Sequence, residues 1–337
     1  MLNRLTPLFA ILPCLLVNLS GQTSDSIPPG PPLTLSERLG YTPEDKLLIV
    51  HADDVGLAHS VNLATFDALA TGQVTSGSIM VPCAWLEEVT DFTRTHPQAD
   101  LGLHLTLTSG SEPYQRGPVS LPSDVPSLIT STGYLYESPR EAAAKMDPRE
   151  VEIELKSQIR KARALGIEPT HLDTHQFLLF FRPQLFEAYL TVGRDSGLPV
   201  LLAKSAFDMI RQQIGATAPD YESFLRPDDI VIDQLITILP GQEKAGWPTF
   251  YEKVLKNLNP GVTQIIVHVA YHSEKAQKVL GEGPWGSAWR QEEFDFFAGP
   301  QFKDLLELHG VKLITWREIA KLKTKNPNQQ AAMSASE

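Results

Sequence analysis

Short runs rich in Val, Ile and Leu recur along this chain, and segments with a helical pattern separate them. Each run has the length of a strand rather than a helix. Seven of them read KLLIVHA, SGSIMVP, DLGLHLTLT, LPVLLAK, DDIVIDQLI, TQIIVHVAY and VKLITW. The clearest helical segment, DPREVEIELKSQIRKARALG, offers Asp147 as an N-cap, Pro148 for the first turn and Gly166 as its end. Strands that alternate with helices predict a parallel α/β fold, here a single (β/α) barrel, with a doubly wound open sheet as the competing architecture.

The two ends of the chain depart from this pattern. Residues 1–21 combine Arg4, an apolar stretch and small residues before the end, which is typical of a secretory signal peptide. The proline-rich residues 22–45 predict an extended lead-in, residues 46–322 the barrel, and residues 323–337 a polar, disordered tail. We therefore expect an exported protein, periplasmic or secreted.

The overall charge and the cysteine content exclude several classes of protein. A formal net charge of −11 argues against a nucleic-acid partner, because phosphate binding needs clustered Lys and Arg. After removal of the predicted leader only Cys83 remains, so no internal disulfide can form. No later stretch predicts a membrane span. The sequence does not fix the oligomeric state and is compatible with a homodimer.

Two adjacent aspartates, Asp53 and Asp54, follow directly on the apolar run in LLIVHADDVGLAHS. Two neighbouring carboxylates at the end of a buried strand are costly to desolvate unless a cation lies beside them. The alternative is local: Asp54 could cap a helix that begins near Ala58. Strand ends of a parallel sheet are also where the active sites of such folds lie, which favours a functional role.

Alternation of side chains along three other runs places histidines toward the inside of the predicted barrel. These inward polar residues are His104 in DLGLHLTLT, His171, Asp173 and His175 in THLDTHQ, and His268 and His272 in IIVHVAYH. A carboxylate with two imidazoles is a recurrent ligand set for a divalent ion, and such an ion would neutralise the aspartates. A structural, hydrogen-bonded role is the alternative for each histidine, and we assign His51 to it.

Several segments resemble, in order, the motifs of the YdjC-like carbohydrate deacetylases. They are HADDVGLAHSVNLATFDALATGQVTSGSIMVP, LGLHLTLTSG, HLDTHQ and VHVAY, followed by EFDFFAGPQFKDLLELHGVKLITWREI. The resemblance implies a deformed (β/α) barrel of the polysaccharide-deacetylase-like type. It also implies one divalent metal ion, Mg²⁺ or Zn²⁺ first among the choices, held by an aspartate and two histidines.

The resemblance also implies roles for individual residues. Asp53 matches the catalytic base, and the matching metal ligands are Asp54, His104 and His175. His268 matches the late histidine of the family, a candidate general acid or substrate contact. Two positions depart from the family pattern: Phe177 stands where a further histidine is common, and His268 is followed by Val-Ala instead of Pro-Gly.

The expected function is metal-dependent removal of an acetyl group from an N-acetylated amino sugar or oligosaccharide. An O-deacetylase or another amidohydrolase of exported glycans, and a carbohydrate-binding barrel without turnover, are the alternatives. The Pro-, Ser- and Gly-rich segment 109–145 predicts a binding loop. Its Tyr114, Tyr134 and Tyr136 would either stack on sugar rings or anchor the loop, and Trp285 and Trp289 have the same two interpretations.

Overall fold

The structure of this chain is a computed structural model that describes residues 33–112, 114–214, 219–242 and 246–324. The predicted signal peptide, the first part of the lead-in and the tail beyond residue 324 lie outside the described residues. Within the predicted lead-in, Leu35–Arg38 form a short helix (α1) instead of extended chain, because Thr34 and Glu37 cap it reciprocally. Residues 323 and 324, predicted as tail, still belong to the last helix.

Seven parallel strands are present in the described part of the chain, and they form one sheet. They are β1 (Lys46–Val55), β2 (Ser76–Ile79), β3 (Leu101–Leu105), β4 (Leu172–Thr174), β5 (Gln234–Thr237), β6 (Gly261–Val267) and β7 (Val311–Leu313). The strand order is β4-β3-β2-β1-β6-β5, and β7 pairs with β1. Because all pairs are parallel, the carboxyl ends of the strands meet at one edge.

The sheet curls into a half-barrel with two irregularities. The run LPVLLAK, predicted as a strand, makes only isolated parallel bridges, from Leu172 to Val200 and from Ala203 to Ile232, because a helix begins at Lys204. The second irregularity is in β1, which pairs first with β7 and then with β2, with a register shift between Ala52 and Val55. The predicted deformed (β/α) barrel is confirmed, and the open doubly wound sheet is not formed.

Helices surround the sheet. After α1 they are α2 (His59–Thr71), α3 (Leu86–Thr95), α4 (Pro139–Lys145), α5 (Pro148–Ala164), α6 (Pro183–Asp195), α7 (Lys204–Ile214), α8 (Trp247–Lys256), α9 (Glu274–Leu280), α10 (Ser287–Phe297), α11 (Pro300–His309) and α12 (Trp316–Thr324). The Asp147 side chain caps α5 as predicted by accepting from the Arg149 N–H. Among the described helices, none combines the length and the hydrophobicity that a bilayer crossing needs.

The inward face of β1 changes from apolar to polar along the strand. Leu47 and Ile49 pack in an apolar cluster with Trp316, whereas the next two residues of the same face are His51 and Asp53. The polar layer is fully buried, and it needs a glycine, because a Cβ on Gly102 would overlap the His171 ring. The barrel therefore has an apolar floor and a polar mouth at the carboxyl ends of its strands.

Candidate active site

Five of the residues singled out from the sequence meet at the mouth of the barrel. Two of them, Asp53 and Asp54, lie near the carboxyl end of β1, and His104 lies on β3. The other two, His175 and His268, directly follow β4 and β6. All five line one cavity of about 410 Å³. Their convergence follows from the parallel order of the strands, because neighbouring carboxyl ends share one edge.

Adjacent residues of a regular strand point to opposite faces, yet both aspartates point into the site. The backbone of Asp54 has a left-handed φ of 69°, and the β1–β2 register shifts at the same place. An aspartate tolerates this conformation better than a bulky residue does, at a cost of about 1 kcal/mol or more. The local distortion turns Asp54 to the same side as Asp53, and α2, whose N-cap is Ala58, has no side-chain cap from it.

Asp54, His104 and His175 form a compact three-atom cluster. Asp54 Oδ1 lies 3.6 Å from His104 Nε2 and 3.5 Å from His175 Nδ1. The two ring nitrogens are 3.2 Å apart. Ligands about 2.0–2.1 Å from a tetrahedral Zn²⁺ are separated by about 3.3 Å, so these three atoms fit a common ion. In the described residues Asp54 Oδ1 is buried without a hydrogen-bond partner, which also suits a metal ligand.

Asp173 orients His104 from behind. His104 Nδ1 donates to Asp173 Oδ1 at 2.7 Å, so its Nε2 faces Asp54 and His175. A carboxylate on the distal ring nitrogen is the usual second partner of a metal-binding histidine. The other oxygen of Asp173 accepts from His51 Nε2 at 3.0 Å. Asp173 is therefore a buried carboxylate shared by two histidines.

Asp54 is paired with a cation from a distant part of the chain. Arg290 on α10 donates from Nη2 to Asp54 Oδ2 at 2.7 Å, and both side chains are buried. Burial alone would raise the pKa of Asp54, but the Arg290 guanidinium and His175 outweigh burial and hold this pKa well below its usual value. Arg290 Nε donates to the Trp285 carbonyl at 2.7 Å, which fixes the guanidinium in place.

Asp53 lies beside this pair in a different environment. Its oxygens are 3.3 Å from His51 Nε2, 3.7 Å from His104 Nε2 and 3.9 Å from His268 Nε2. Burial raises the pKa of Asp53 to about 7, against the opposing effect of His104. A carboxyl group with a pKa near neutrality suits a general base.

The late histidine is held through its backbone. The His268 N–H donates to Glu293 Oε2 at 2.8 Å, and Tyr251 donates to the other oxygen of Glu293 at 3.0 Å. Burial and the nearby Arg290 lower the pKa of His268 to about 3, so its imidazole is neutral. The other inward histidine of this segment, His272, bonds to Ser287 instead.

The charges around the cluster favour a bound cation. Asp53, Asp54 and Asp173 lie close together, and burial would raise the pKa of each. Without an ion, a protonated His104 compensates part of the negative charge of these carboxylates. Burial lowers the pKa of His104, but Asp173 and Asp53 raise it to about 10. A divalent ion would replace that proton and make metal affinity depend on pH. The donor set, the distances and the charges thus fit one divalent ion.

Two grooves adjoin the cavity through largely different sets of its residues, with Gln176 common to both. The polar groove, about 610 Å³, shares Asp54, His175, Gln176 and Arg290 with the cavity and includes Trp85, Tyr114 and Arg116. The apolar groove, about 740 Å³, shares Gln176, Phe177, Thr237 and Leu239 with the cavity. The cavity therefore lies between surfaces of contrasting chemistry.

Only some of the aromatic residues predicted to contact a substrate lie at the cavity or its grooves. Tyr114 lines the polar groove and Trp285 lines the cavity. Trp289 is buried against Trp247, with ring centroids 4.8 Å apart, and belongs to the hydrophobic core. Tyr136 lies under the Lys145 ammonium, which anchors the loop segment to α4.

Three residues of the site were not assigned to it from the sequence. His51, interpreted as structural, contacts both Asp53 and Asp173, and its place two residues before Asp53 on one strand face was a usable signal. Asp173 was recognised as inward-facing but given no role. Arg290 comes from a helix 236 residues after Asp54, and no local pattern marks it.

Comparisons with known proteins agree on one family. The model of the YdjC-like protein family matches residues 47–308. A carbohydrate deacetylase of Thermus thermophilus is 32% identical, over 85% of this chain and 98% of its own length. A chitooligosaccharide deacetylase of Yersinia pestis is 31% identical over 46% of this chain and 59% of its own length. A solved structure from Enterococcus faecalis, provisionally described as a cellobiose-phosphate cleavage protein, is 24% identical. It covers 82% of this chain and 99% of its own, with a TM-score of 0.68.

Proposed function

Because this chain belongs to the YdjC-like protein family, we propose that it is a metal-dependent deacetylase acting on an N-acetylated amino sugar or oligosaccharide. The observation that carries the proposal is the convergence of Asp54, His104 and His175 beside Asp53 in one cavity. The relatives named as carbohydrate and chitooligosaccharide deacetylases support the reaction class.

Asp54, His104 and His175 would hold the ion. Two imidazoles and one carboxylate favour Zn²⁺ over Mg²⁺, which prefers oxygen ligands. When bound, such an ion supplies a Lewis acid for the acetyl carbonyl and lowers the pKa of water. Arg290 keeps Asp54 ionised and engages its Oδ2, which leaves Oδ1 for the ion.

Asp53 is the general base in this proposal. It takes a proton from the water that adds to the carbonyl carbon, because its carboxylate lies 3.7 Å from His104 Nε2, at the edge of the cluster that would hold the ion. His268 Nε2 lies 3.9 Å from Asp53 Oδ2 and lines the same cavity, so it can pass a proton on from Asp53. We therefore assign the proton a route from water to Asp53, then through His268 to the departing amine. The C–N bond breaks, and acetate and the free amine are the products.

The test combines metal analysis with acetate release. Protein is assayed on N-acetylglucosamine oligomers and on O-acetylated sugars, before and after removal and return of Zn²⁺. We expect acetate from the N-acetylated sugars, lost on chelation and restored by Zn²⁺. His104→Asn should abolish both metal binding and turnover, whereas His309→Asn on α11 serves as the matched control.

Three results would contradict the proposal in different ways. Acetate from O-acetylated sugars alone would indicate an O-deacetylase. A metal-loaded protein that binds sugars without releasing acetate would be a carbohydrate-binding barrel. Failure to bind any divalent ion at the Asp54 cluster would remove the mechanism altogether.

A further inference from the structure

The apolar groove begins at the cavity and leads away from the metal cluster. Apart from the residues it shares with the cavity, it is lined mainly by apolar side chains, which are Phe180, Phe181, Ala206, Met209 and Ile210. Among the residues that the structure describes, none of those lining it is a carboxylate. One of its two arginines, Arg182, donates from Nη1 to the carbonyls of Ala143 and Met146 and so supports the wall. The other arginine, Arg140, also lies in the lining, but most of the described surface of the groove is apolar and suits an apolar group.

Large apolar side chains on its walls are exposed to solvent. Phe181, Met209 and Leu239 are 43%, 37% and 51% exposed. Single exposed apolar residues are ordinary, but a contiguous group that continues into an active-site cavity indicates a binding surface. The continuity runs through Phe177 and Leu239, which line both the cavity and the groove.

Phe177 is held at the junction by an unusual backbone. Gln176 and Phe177 have consecutive left-handed φ values of 56° and 53°, directly after His175. Each such non-glycine residue costs about 1–3 kcal/mol and persists because its surroundings enforce it. Here the Phe177 ring packs edge-on against Phe180, with ring centroids 6.3 Å apart. An apolar residue is thus placed beside a metal ligand, where the family commonly has a histidine.

The polar groove that adjoins the same cavity has a different chemical character. The polar groove offers Trp85 and Tyr114, each 41% exposed, together with Arg116. Exposed aromatic faces with neighbouring hydrogen-bond donors suit a pyranose ring. A ligand that spans the cavity would therefore meet sugar-binding chemistry on one side and apolar surface on the other.

We propose that the substrate is an amphiphilic glycoside. Its N-acetylated sugar occupies the cavity, and the alkyl or aryl group on its anomeric oxygen lies in the apolar groove along Phe177, Phe181 and Met209. This inference rests on the proposed deacetylase function, of which it names the substrate class.

The test compares the methyl and hexyl β-glycosides of N-acetylglucosamine, below the micelle concentration of the hexyl compound. We expect KM to be about tenfold lower for the hexyl glycoside, with kcat changed less than about twofold, because the chain adds binding that is equal in ground and transition states. Calorimetric binding of both glycosides to the Zn²⁺-free protein is measured in parallel. There too the hexyl glycoside should bind about tenfold more tightly.

Two groove variants and one control test the location. Met209→Asp and Phe181→Ser change exposed positions, so at least one should fold, as circular dichroism will report. Each should reduce the hexyl-to-methyl ratio of kcat/KM from about ten to about two. Leu308→Asp, at a 70% exposed position on α11, is the matched control and should leave the ratio unchanged.

The outcomes separate this inference from the proposed function. Acetate release with equal KM values for both glycosides overturns the groove and leaves the deacetylase. Tighter hexyl binding without acetate from either glycoside supports the groove and overturns the deacetylase. If Met209→Asp alters the oligomeric state and not the ratio, a second copy of the chain covers the groove and the inference is wrong.

Discussion

Two adjacent buried carboxylates, Asp53 and Asp54, have different surroundings on the two sides of the cluster formed by Asp54, His104 and His175. On one side Asp54 meets the Arg290 guanidinium at 2.7 Å, and its pKa is held low. On the other side the cationic partners of Asp53 in the described part of the chain are histidines, at 3.3 Å or more, and burial raises its pKa to about 7. The Arg290 guanidinium therefore gives two neighbouring aspartates at one strand end different pKa values.

The difference teaches how a chain can assign two tasks to one dipeptide. An aspartate that stays ionised can hold a cation at any ordinary pH, whereas one that titrates near neutrality can take and return a proton. The left-handed backbone of Asp54 is what brings both groups to the same side. Substituting the two aspartates one at a time should therefore give two different defects, loss of the base at Asp53 and loss of metal binding at Asp54.

Asp53→Asn should have the largest effect. Removing the base while keeping size and hydrogen bonding should reduce kcat at least about 10³-fold, because general base catalysis contributes about that much. Zn²⁺ content, measured by mass spectrometry, should stay at the level of the unaltered protein. Asp91→Asn, on the exposed face of α3, controls for loss of charge. Loss of metal together with activity would show that Asp53 is a ligand.

Asp54→Asn should give the complementary defect. We expect Zn²⁺ affinity to fall about 100-fold or more, since a charged ligand becomes neutral. Excess Zn²⁺ should then restore part of the activity, in contrast to Asp53→Asn, which it should not rescue. Competition with a fluorescent chelator measures the affinity, and unchanged Zn²⁺ binding would contradict the assignment.

In the metal-free protein, Asp53 and Asp54 should affect the free energy of unfolding with different pH dependences. Asp53 is protonated in folded and unfolded chains below about pH 4; between pH 4 and 7 the unfolded chain ionises while the folded state retains its proton. Asp53 therefore reduces stability as the pH rises through this window. Metal-free Asp53→Asn should be more stable than the parent at pH 8, by about 2 to 4 kcal/mol, and equal to it near pH 4.

The pH dependence of Asp54 has the opposite sign. Its lowered pKa contributes stability above the unfolded value of 3.8, and this contribution is lost as the pH falls through the folded pKa. Metal-free Asp54→Asn should thus be less stable than the parent at pH 8. Urea unfolding between about pH 3 and pH 8 measures both variants, and parallel pH profiles of the two would refute the contrast.

The sequence predicted the parts of this site that follow from the alternation of side chains along strands. It did not predict the parts that depend on tertiary contacts. Alternation placed His104, Asp173 and His268 on inward faces because strand geometry is local. It could not give the left-handed turn at Asp54 or the kink after His175, since surrounding contacts enforce these conformations. Arg290 was invisible for the same reason, because only the fold brings α10 to β1.

The fold was predictable from the sequence to about the same extent as the site. Runs of Val, Ile and Leu located most of the strands, and a capped amphipathic segment located α5. LPVLLAK has strand composition, yet α7 begins at Lys204 and leaves it with two bridges. β4 is only three residues long, Leu172–Thr174, and carries two polar residues, so composition alone gives it little weight.

Arg290→Gln should give the smallest change and the most direct test of the comparison. Without the guanidinium, the pKa of Asp54 rises toward that of an ordinary buried carboxyl, because its main favourable partner is gone. Protons then compete with Zn²⁺ for Asp54 at higher pH. The midpoint of Zn²⁺ release, followed by chelator fluorescence during acid titration, should move up by about one pH unit. Arg290→Lys keeps a positive charge and should move it less. If Arg290→Gln leaves the midpoint in place, the guanidinium does not separate the two aspartates, and their difference must come from the histidines around them.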